Sequence, residues 1–298
     1  MNQMKILITG GSGLLGEKIS ETLTENGDKV FSGYFTNTPK TGTPIQFDIR
    51  NNDQVQNICK KITPDVIIHS AAVTNVEKCE VNRENAWKTN VKGTKSIVEC
   101  ANQKNIPVVY ISTDYVFSGE KGNYKEGDTT NPINYYGETK LLGEALVTNK
   151  SINNLVLRPS VIYGSQKGVK TDFAQWILTN LKTNKTMEIV TDQIVSPTIT
   201  TDLAIMIKDL IERSDGGIYH TSGATPITRY DFAVKLAAKF GYDKNLIKET
   251  TCSQMNWKAS RPTNSSLNIK KISKSIGRSP WNINKAFECL AEEMDESN

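Results

Sequence analysis

Several common signatures are missing from these 298 residues. The five cysteines (Cys59, Cys79, Cys100, Cys252, Cys289) are odd in number, and no two form a CxxC pair. That spacing excludes a zinc ribbon and offers no disulfide frame, so they read as reduced, scattered thiols. Histidine is scarcer, with only His69 and His220 and no HExxH. A protein-built metal site is therefore not expected, and each histidine reads as a buried, hydrogen-bonded side chain. No run approaches the ~20 apolar residues of a membrane span. The apolar stretch in "MNQMKILITGG" is too short for a signal peptide. The expectation is a cytoplasmic protein with no membrane partner. Basic charge is not concentrated anywhere. Lys and Arg exceed Asp and Glu by 36 to 32, a net +4, and the excess is spread along the chain. A nucleic-acid partner would need a basic face, so none is expected.

A hydrophobic content of 37% with 23% charged residues suits a globular chain able to bury a sizeable core. Short β-rich runs recur at 5–9, 29–34, 65–71, 107–112 and 154–160. Most are continuously apolar, as strands buried on both faces are. Amphipathic stretches such as 14–26 and 85–104 separate them. This alternation predicts an α/β fold, a doubly wound Rossmann-type parallel sheet with helices on both sides. After about residue 160 the rhythm changes. Helical patterns at 171–182, 201–213 and 229–241 alternate with the β candidates "MEIV" and "GIYHT". The expected division is a dinucleotide-binding domain over 1–160. A smaller, mainly substrate-binding α/β part follows over 161–298, with segments returning to the first. The last helix, around 283–294, leads into a short acidic tail.

"TGGSGLLG" follows the first strand and opens the first helix. Gly10, Gly13 and Gly16 are spaced GxxGxxG. Such a strand–turn–helix holds a pyrophosphate: Gly10 permits the tight turn, Gly13 lets backbone approach phosphate, and Gly16 lets the helix pack closely. The helix N-terminus adds N–H donors and partial positive charge. Ser12, Leu14 and Leu15 of the same loop are counted with the cofactor site. An NAD site usually places an acid about 20 residues on. None stands between Ser32 and Lys40. That absence favours NADPH, with NADH as the alternative. Lys40 could reach a 2′-phosphate, although a solvated loop lysine is the plainer reading. Asp48, after the run "PIQF", could face the adenine.

The run "NPINYYGETKLLGEAL" (131–146) sets Tyr136 four residues before Lys140, on one helical face. The preceding strand ends "YISTDYVFSG", which brings Ser112, Thr113 and Asp114 to the edge where ligands bind. Reducing a carbonyl requires a proton for the developing alkoxide. A free tyrosine holds its proton too tightly at neutral pH, and a lysine cation would loosen it. Tyr136 is the candidate acid, Lys140 its tuner, and Tyr135 a packing or wall residue.

Taken together, "ILITGGSGLLG", "FDIR", "PDVIIHSAAVTNVEKCE", "YISTDYVFSGEKGNYKEGD", "NPINYYGETKLLGE", "VLRPSVIYG", "DQIVSPTITTDLA" and "RPTNSSLN" give the chain a resemblance. It resembles the extended short-chain dehydrogenase/reductases, and within them the dTDP-4-dehydrorhamnose reductases. The resemblance implies a Thr113–Tyr136–Lys140 catalytic set. It puts Asp48 and Ile49 against adenine, Ala71 and Ala72 along the dinucleotide, and Tyr136 and Lys140 on the cofactor as well. Thr74, Val76, Tyr115 and Arg261 would border a sugar-nucleotide pocket. The implied reaction is NAD(P)H-dependent reduction of a nucleoside-diphosphate-linked 4-keto-6-deoxyhexose. Val161 stands where rhamnose-pathway members often carry Trp, which leaves the exact sugar open. The same segments resemble the regulatory β subunit of methionine adenosyltransferase, a binding partner. That subunit, and an epimerase or dehydratase, are the alternatives. A need for Mg²⁺ and a homodimeric state are also left open.

Overall fold

The computed structural model describes residues 3–149, 153–165, 171–213 and 216–296. Seven parallel strands form the central sheet: β1 (Lys5–Thr9), β2 (Lys29–Tyr34), β3 (Thr43–Gln46), β4 (Val66–His69), β5 (Val108–Ile111), β6 (Leu155–Arg158) and, after four strands outside it, β11 (Gly217–His220). Those four are β7 (Ser160–Tyr163), β8 (Met187–Val190), β9 (Ile194–Val195) and β10 (Pro197–Ile199). Two more follow, β12 (Ile227–Thr228) and β13 (Ile247–Thr250). The helices are α1 (Leu14–Glu25), α2 (Asn52–Ile62), α3 (Val76–Val81), α4 (Arg83–Ala86), α5 (Thr94–Gln103) and α6 (Tyr135–Thr148). The second half adds α7 (Phe173–Lys182), α8 (Thr200–Arg213), α9 (Arg229–Lys239), α10 (Lys270–Ile276) and α11 (Ile283–Glu296).

The sheet order is β11-β6-β5-β4-β1-β2-β3. The direction of winding therefore reverses between β1 and β4, and the crevice beyond their carboxyl ends is where such sheets take ligands. Every residue of β4, β5 and β6 is buried, because helices cover both faces. One face packs apolar residues of α1, α8 and α10, including Ile19, Ile207, Leu210 and Ile272. The other packs α2, α5 and α6 through Val55, Ile97 and Val147. A third cluster joins α7, α9 and α11 around Ile177, Phe232 and Phe287, beyond the sheet. Asparagine caps start α2, α3 and α6: the side chains of Asn51, Asn75 and Asn134 accept from the N–H groups of Gln54, Lys78 and Gly137.

Local departures from the periodicity have identifiable causes. The helix expected over 85–104 is broken into α4, a π-helical stretch (Trp87–Gly93) and α5. An inserted residue widens the turn without disturbing the apolar pattern, so a 3.6-residue period does not reveal it. The widened turn carries Asn90, which bonds both the N–H and the carbonyl of Val73 and the Thr139 hydroxyl. Pro159 divides the strand expected over 154–160, and β7 leaves the sheet to pair with β10. "GIYHT", read with the capping part, instead supplies β11, parallel to β6 at the sheet edge. Helix α8 likewise packs against α1. Residues 297–298, the end of the acidic tail, lie outside the described residues.

The cysteines need a correction. Cys59 in α2 and Cys100 in α5 form a disulfide, with Cα atoms 6.6 Å apart and both residues buried. Their separation of 41 residues carries no motif. Only the side-by-side packing of α2 and α5 brings them together. Alkylation of the denatured chain without reductant should therefore modify three thiols, Cys79, Cys252 and Cys289, and all five after reduction. Labelling of five without reductant would refute the bond. By the loop-entropy relation, reduction should cost about 4 kcal/mol of stability, readable by urea denaturation.

Candidate active site

One cavity of about 870 Å³ opens at the carboxyl edge of the sheet, large enough for a dinucleotide and part of a second ligand. Its floor is the glycine loop. Gly10 has φ of +71°, and a Cβ there would sit 2.9 Å from the Ala71 backbone, so β1 and β4 approach as closely as they do only with glycine. A Cβ on Gly16 would lie 2.1 Å from the Gly10 carbonyl oxygen. Gly16 is thus the helix-packing residue and does not line the cavity. Gly10, Ser12, Gly13, Leu14 and Leu15 do. The wall beside them comes from the segment after β4, with Ala71 and Ala72, and from the segment after β3, with Asp48 and Ile49. A bare-backbone cradle at the start of a twelve-residue helix fits a pyrophosphate.

The wall expected to hold the cofactor differs from that expectation at its charged residues. Lys40 is exposed and absent from the cavity wall; its N–H donates to Glu17, 2.7 Å away. Arg50 is on the wall instead, bound to both carboxylate oxygens of Asp48 and lying 5.0 Å over the Phe35 ring. Hydrogen bonds from Arg50 hold the Asp48 carboxyl below the usual carboxylate range. Sequence reasoning missed Arg50, because one arginine after a strand-end acid carries no motif.

Farther along, the cavity meets α6. Tyr136 and Lys140 line it one turn apart, opposite Thr113 and Tyr115. The two adjacent tyrosines part company at the helix start. Tyr135 lies under the Arg83 guanidinium, 4.8 Å away, and its N–H donates to Glu80, outside the cavity. Tyr136 meets Tyr115 edge to face with centroids 6.1 Å apart. Burial pushes its phenol well up, and a hydrogen bond with Thr113 opposes that. Burial also pushes the Lys140 ammonium down to about 7, with Glu144 one turn later pulling back. Lys140 Nζ rests 4.0 Å over the Tyr110 ring.

Behind these groups the polar interior is closely paired. Glu144 forms a buried ion pair with Arg158 on β6, at 2.6 Å, and accepts from Ser112. Asp114 accepts from Ser160 (2.8 Å), Ser265 (2.6 Å) and Thr113 (3.1 Å). Burial raises its carboxyl. His69 is buried between the hydroxyls of Thr9 (2.7 Å) and Thr94 (3.0 Å), not against backbone, and burial drives its pKa to about 3. His220 is driven to about 3 as well, chiefly by burial. Neither histidine reaches the cavity.

The outer wall comes from both halves of the chain. Thr74 and Val76 precede and begin α3. Arg261 faces them, paired with Glu77 at 2.9 Å and lying 5.1 Å over the Trp257 ring. It is therefore both a wall residue and an ion-pair partner. Arg229, at the start of α9, is a second cation here that sequence reasoning missed. Its Nε donates to Gln193, and its guanidinium lies 4.8 Å over Phe173. Asp172, the α7 cap, was also missed, and burial raises it to about 6. Val161 lines the cavity with φ of +39°, a conformation that costs a β-branched residue energy and that tends to persist where a site demands it.

Known proteins are similar to this chain in sequence and fold. The dTDP-4-dehydrorhamnose reductase of Aggregatibacter actinomycetemcomitans is 32% identical over 297 residues, 95% of this chain and 97% of that protein. The methionine adenosyltransferase 2 subunit beta of Bos taurus is 30% identical over 94% of this chain and 85% of its own length. Among solved structures, the dTDP-4-dehydrorhamnose reductase of Bacillus anthracis in complex with NADP superposes with a TM-score of 0.88. It has 29% identity and covers 98% of this chain and all of that one. Residues 4–295 match the RmlD substrate binding domain, so nearly the whole chain belongs to the RmlD substrate-binding-domain family.

Proposed function

We propose that this chain is an NADPH-dependent reductase of a nucleoside-diphosphate-linked 4-keto-6-deoxy sugar, best matched by dTDP-4-dehydrorhamnose with dTDP-L-rhamnose as product. The observation that carries the reading is one continuous cavity. It joins a glycine cradle for a dinucleotide to a Thr–Tyr–Lys set and then to two arginines suited to a diphosphate. A division into a dinucleotide-binding part (1–160) and a mainly substrate-binding part (161–298) belongs to the same proposal, with α8 and β11 serving the first.

When bound, the reduced nicotinamide supplies a hydride to the carbonyl carbon. The chain's own residues do the rest. Gly10, Ser12, Gly13, Leu14 and Leu15 would hold the pyrophosphate, while Asp48, Ile49, Ala71 and Ala72 would flank the adenosine and dinucleotide. Thr113 would hold the carbonyl oxygen, and Tyr136 would pass its proton to that oxygen as it becomes an alcohol. The phenolate left behind is a buried anion, and the protonated form of Lys140 on the same helical face stabilises it. Thr74, Val76 and Tyr115 would border the sugar, and Arg261 and Arg229 would clamp the diphosphate. A dinucleotide-binding subunit without turnover is the second reading, favoured by the likeness to the methionine adenosyltransferase subunit.

The tyrosines discriminate between these readings. Tyr136→Phe removes only a hydroxyl, so folding and NADPH binding should survive while keto-sugar reduction falls roughly 10²–10⁴-fold. Tyr135→Phe, outside the cavity, should lose far less. Full activity in both variants would defeat the catalytic reading, and no activity in the unmodified chain would favour the subunit.

Lys140 gives a second expectation, readable without substrate. Its folded pKa of about 7 lies below the unfolded value near 10.5. The unfolded state therefore binds more protons between these values, and stability rises with pH across that window. The penalty is fully present below about pH 7. Lys140→Met should raise stability there by on the order of a few kcal/mol and should change little near pH 10.5. A stability gain equal at both pH values would show that the ammonium is not the source.

For the outer wall, Arg261→Ala should raise the substrate KM while leaving the NADPH Kd nearly unchanged. Loss of a charge-assisted pair predicts about 1.5–3 kcal/mol in kcat/KM. An unchanged KM would return Arg261 to its pairing with Glu77 alone.

A further inference from the structure

We infer that Arg50 takes the 2′-phosphate of NADPH and so sets the cofactor preference. The inference rests on the dinucleotide reading of the cavity and adds to it the residue that recognises the extra phosphate.

Three observations lead there. The first is position. The adenosine end of the crevice lies on the β2–β3 side of the switch point, away from α6. The wall there is built by Tyr34 at the end of β2, by Phe35, Thr36 and Asn37 after it, and by Asp48, Ile49 and Arg50 after β3. Among the described residues lining the cavity, the other cations are Lys140, Arg229 and Arg261, which belong to the α6 and outer walls. Arg50 is the cation of the adenosine wall.

The second is charge. The tail of β2 carries no carboxylate, and the acid on this wall, Asp48, is covered by Arg50 through bonds of 2.9 and 2.7 Å. A lone carboxylate would repel a phosphate dianion, whereas the closed pair is neutral and presents a guanidinium to it.

The third is geometry. Arg50 uses Nε and Nη2 on Asp48 and rests over Phe35, an exposed ring. Its Nη1 makes no hydrogen bond among the described residues. The guanidinium is thus held flat by an aromatic face and a carboxylate, with one edge left to donate. A planar fork fixed in this way matches two phosphate oxygens better than a loop lysine does. Lys40, the residue the sequence suggests, is off the wall, and its backbone is tied to Glu17.

The test is equilibrium binding, read by cofactor fluorescence without turnover. NADPH and NADH are titrated into the unmodified chain and into Arg50→Gln and Lys40→Gln. 2′,5′-ADP and 5′-AMP serve as displacing probes that carry or lack the 2′-phosphate. Arg50→Gln should weaken NADPH and 2′,5′-ADP by about tenfold or more, as expected for losing a charge-assisted pair, while leaving NADH and 5′-AMP within about threefold. Retained NADH binding in the same sample shows that the variant is folded. Lys40→Gln should leave all four nearly unchanged. Equal weakening of NADPH and NADH in Arg50→Gln would make Arg50 a packing residue and overturn the inference. Unchanged NADPH affinity, or a selective loss in Lys40→Gln, would do the same. These results leave the dinucleotide reading standing. Failure of both NADPH and NADH to bind the unmodified chain would overturn that reading, and the inference with it.

Discussion

The approach of α6 to the sheet is the constraint on which the site depends. A Cβ at Gly137 would lie 2.2 Å from the Tyr115 carbonyl oxygen, and one at Gly143 would lie 2.1 Å from the Tyr110 hydroxyl. Two glycines therefore let the helix settle onto the turn after β5 and onto β5 itself. Neither needs an unusual backbone angle; each is small because another atom occupies the space. With the helix seated, one face presents Tyr136 and Lys140 to the cavity. A turn later Glu144 reaches Arg158 in the interior. A larger residue at either glycine would lift the helix and move Tyr136 and Lys140 together.

Seating that helix puts ionisable groups where charge is expensive. Burial lowers Lys140 and raises Tyr136, so neutral forms are favoured in both. The Glu144–Arg158 pair satisfies its own charges, yet its carboxylate side supports the lysine ammonium. Such a pair is costly to break from one side, on the order of 3–5 kcal/mol, because the orphaned charge stays buried. The site thus keeps a weakly held ammonium next to a tightly held phenol proton. In the proposed reduction, the proton moves only when negative charge develops on the substrate oxygen between Thr113 and Tyr136.

Positive charge along the cavity is placed at the two ends where phosphates would lie. Arg50 stands on the β2–β3 side, where the proposed cofactor's adenosine would lie, and Arg229 and Arg261 on the outer side. Each guanidinium lies over an aromatic ring, Phe35, Phe173 and Trp257 respectively. Each also bonds an acceptor, Asp48, Gln193 or Glu77. Stacking and pairing hold the planar groups ready, which reduces the side-chain ordering that a ligand would otherwise have to impose.

Much of this was legible in the sequence, because local chemistry specifies it. Apolar runs buried on both faces mark β1, β4, β5 and β6. The GxxGxxG spacing after the first strand marks the cradle, and a Tyr–Lys separation of four places both residues on one face of α6. Other features arise only between segments distant in the chain. The Cys59–Cys100 bond needs α2 beside α5. Arg50 faces the cavity, and Lys40 does not, because the segment after β3 folds across Phe35 while Glu17 holds the loop at Lys40. Arg229 becomes a wall residue through the packing of α9, and β11 joins the sheet although it follows four strands that lie outside it. Periodicity and spacing report how neighbours along the chain must lie, so the sequence by itself determined the strands, the cradle and the helical face. Which loop residues meet across the crevice depends on contacts of long sequence separation, and only the tertiary structure decided those.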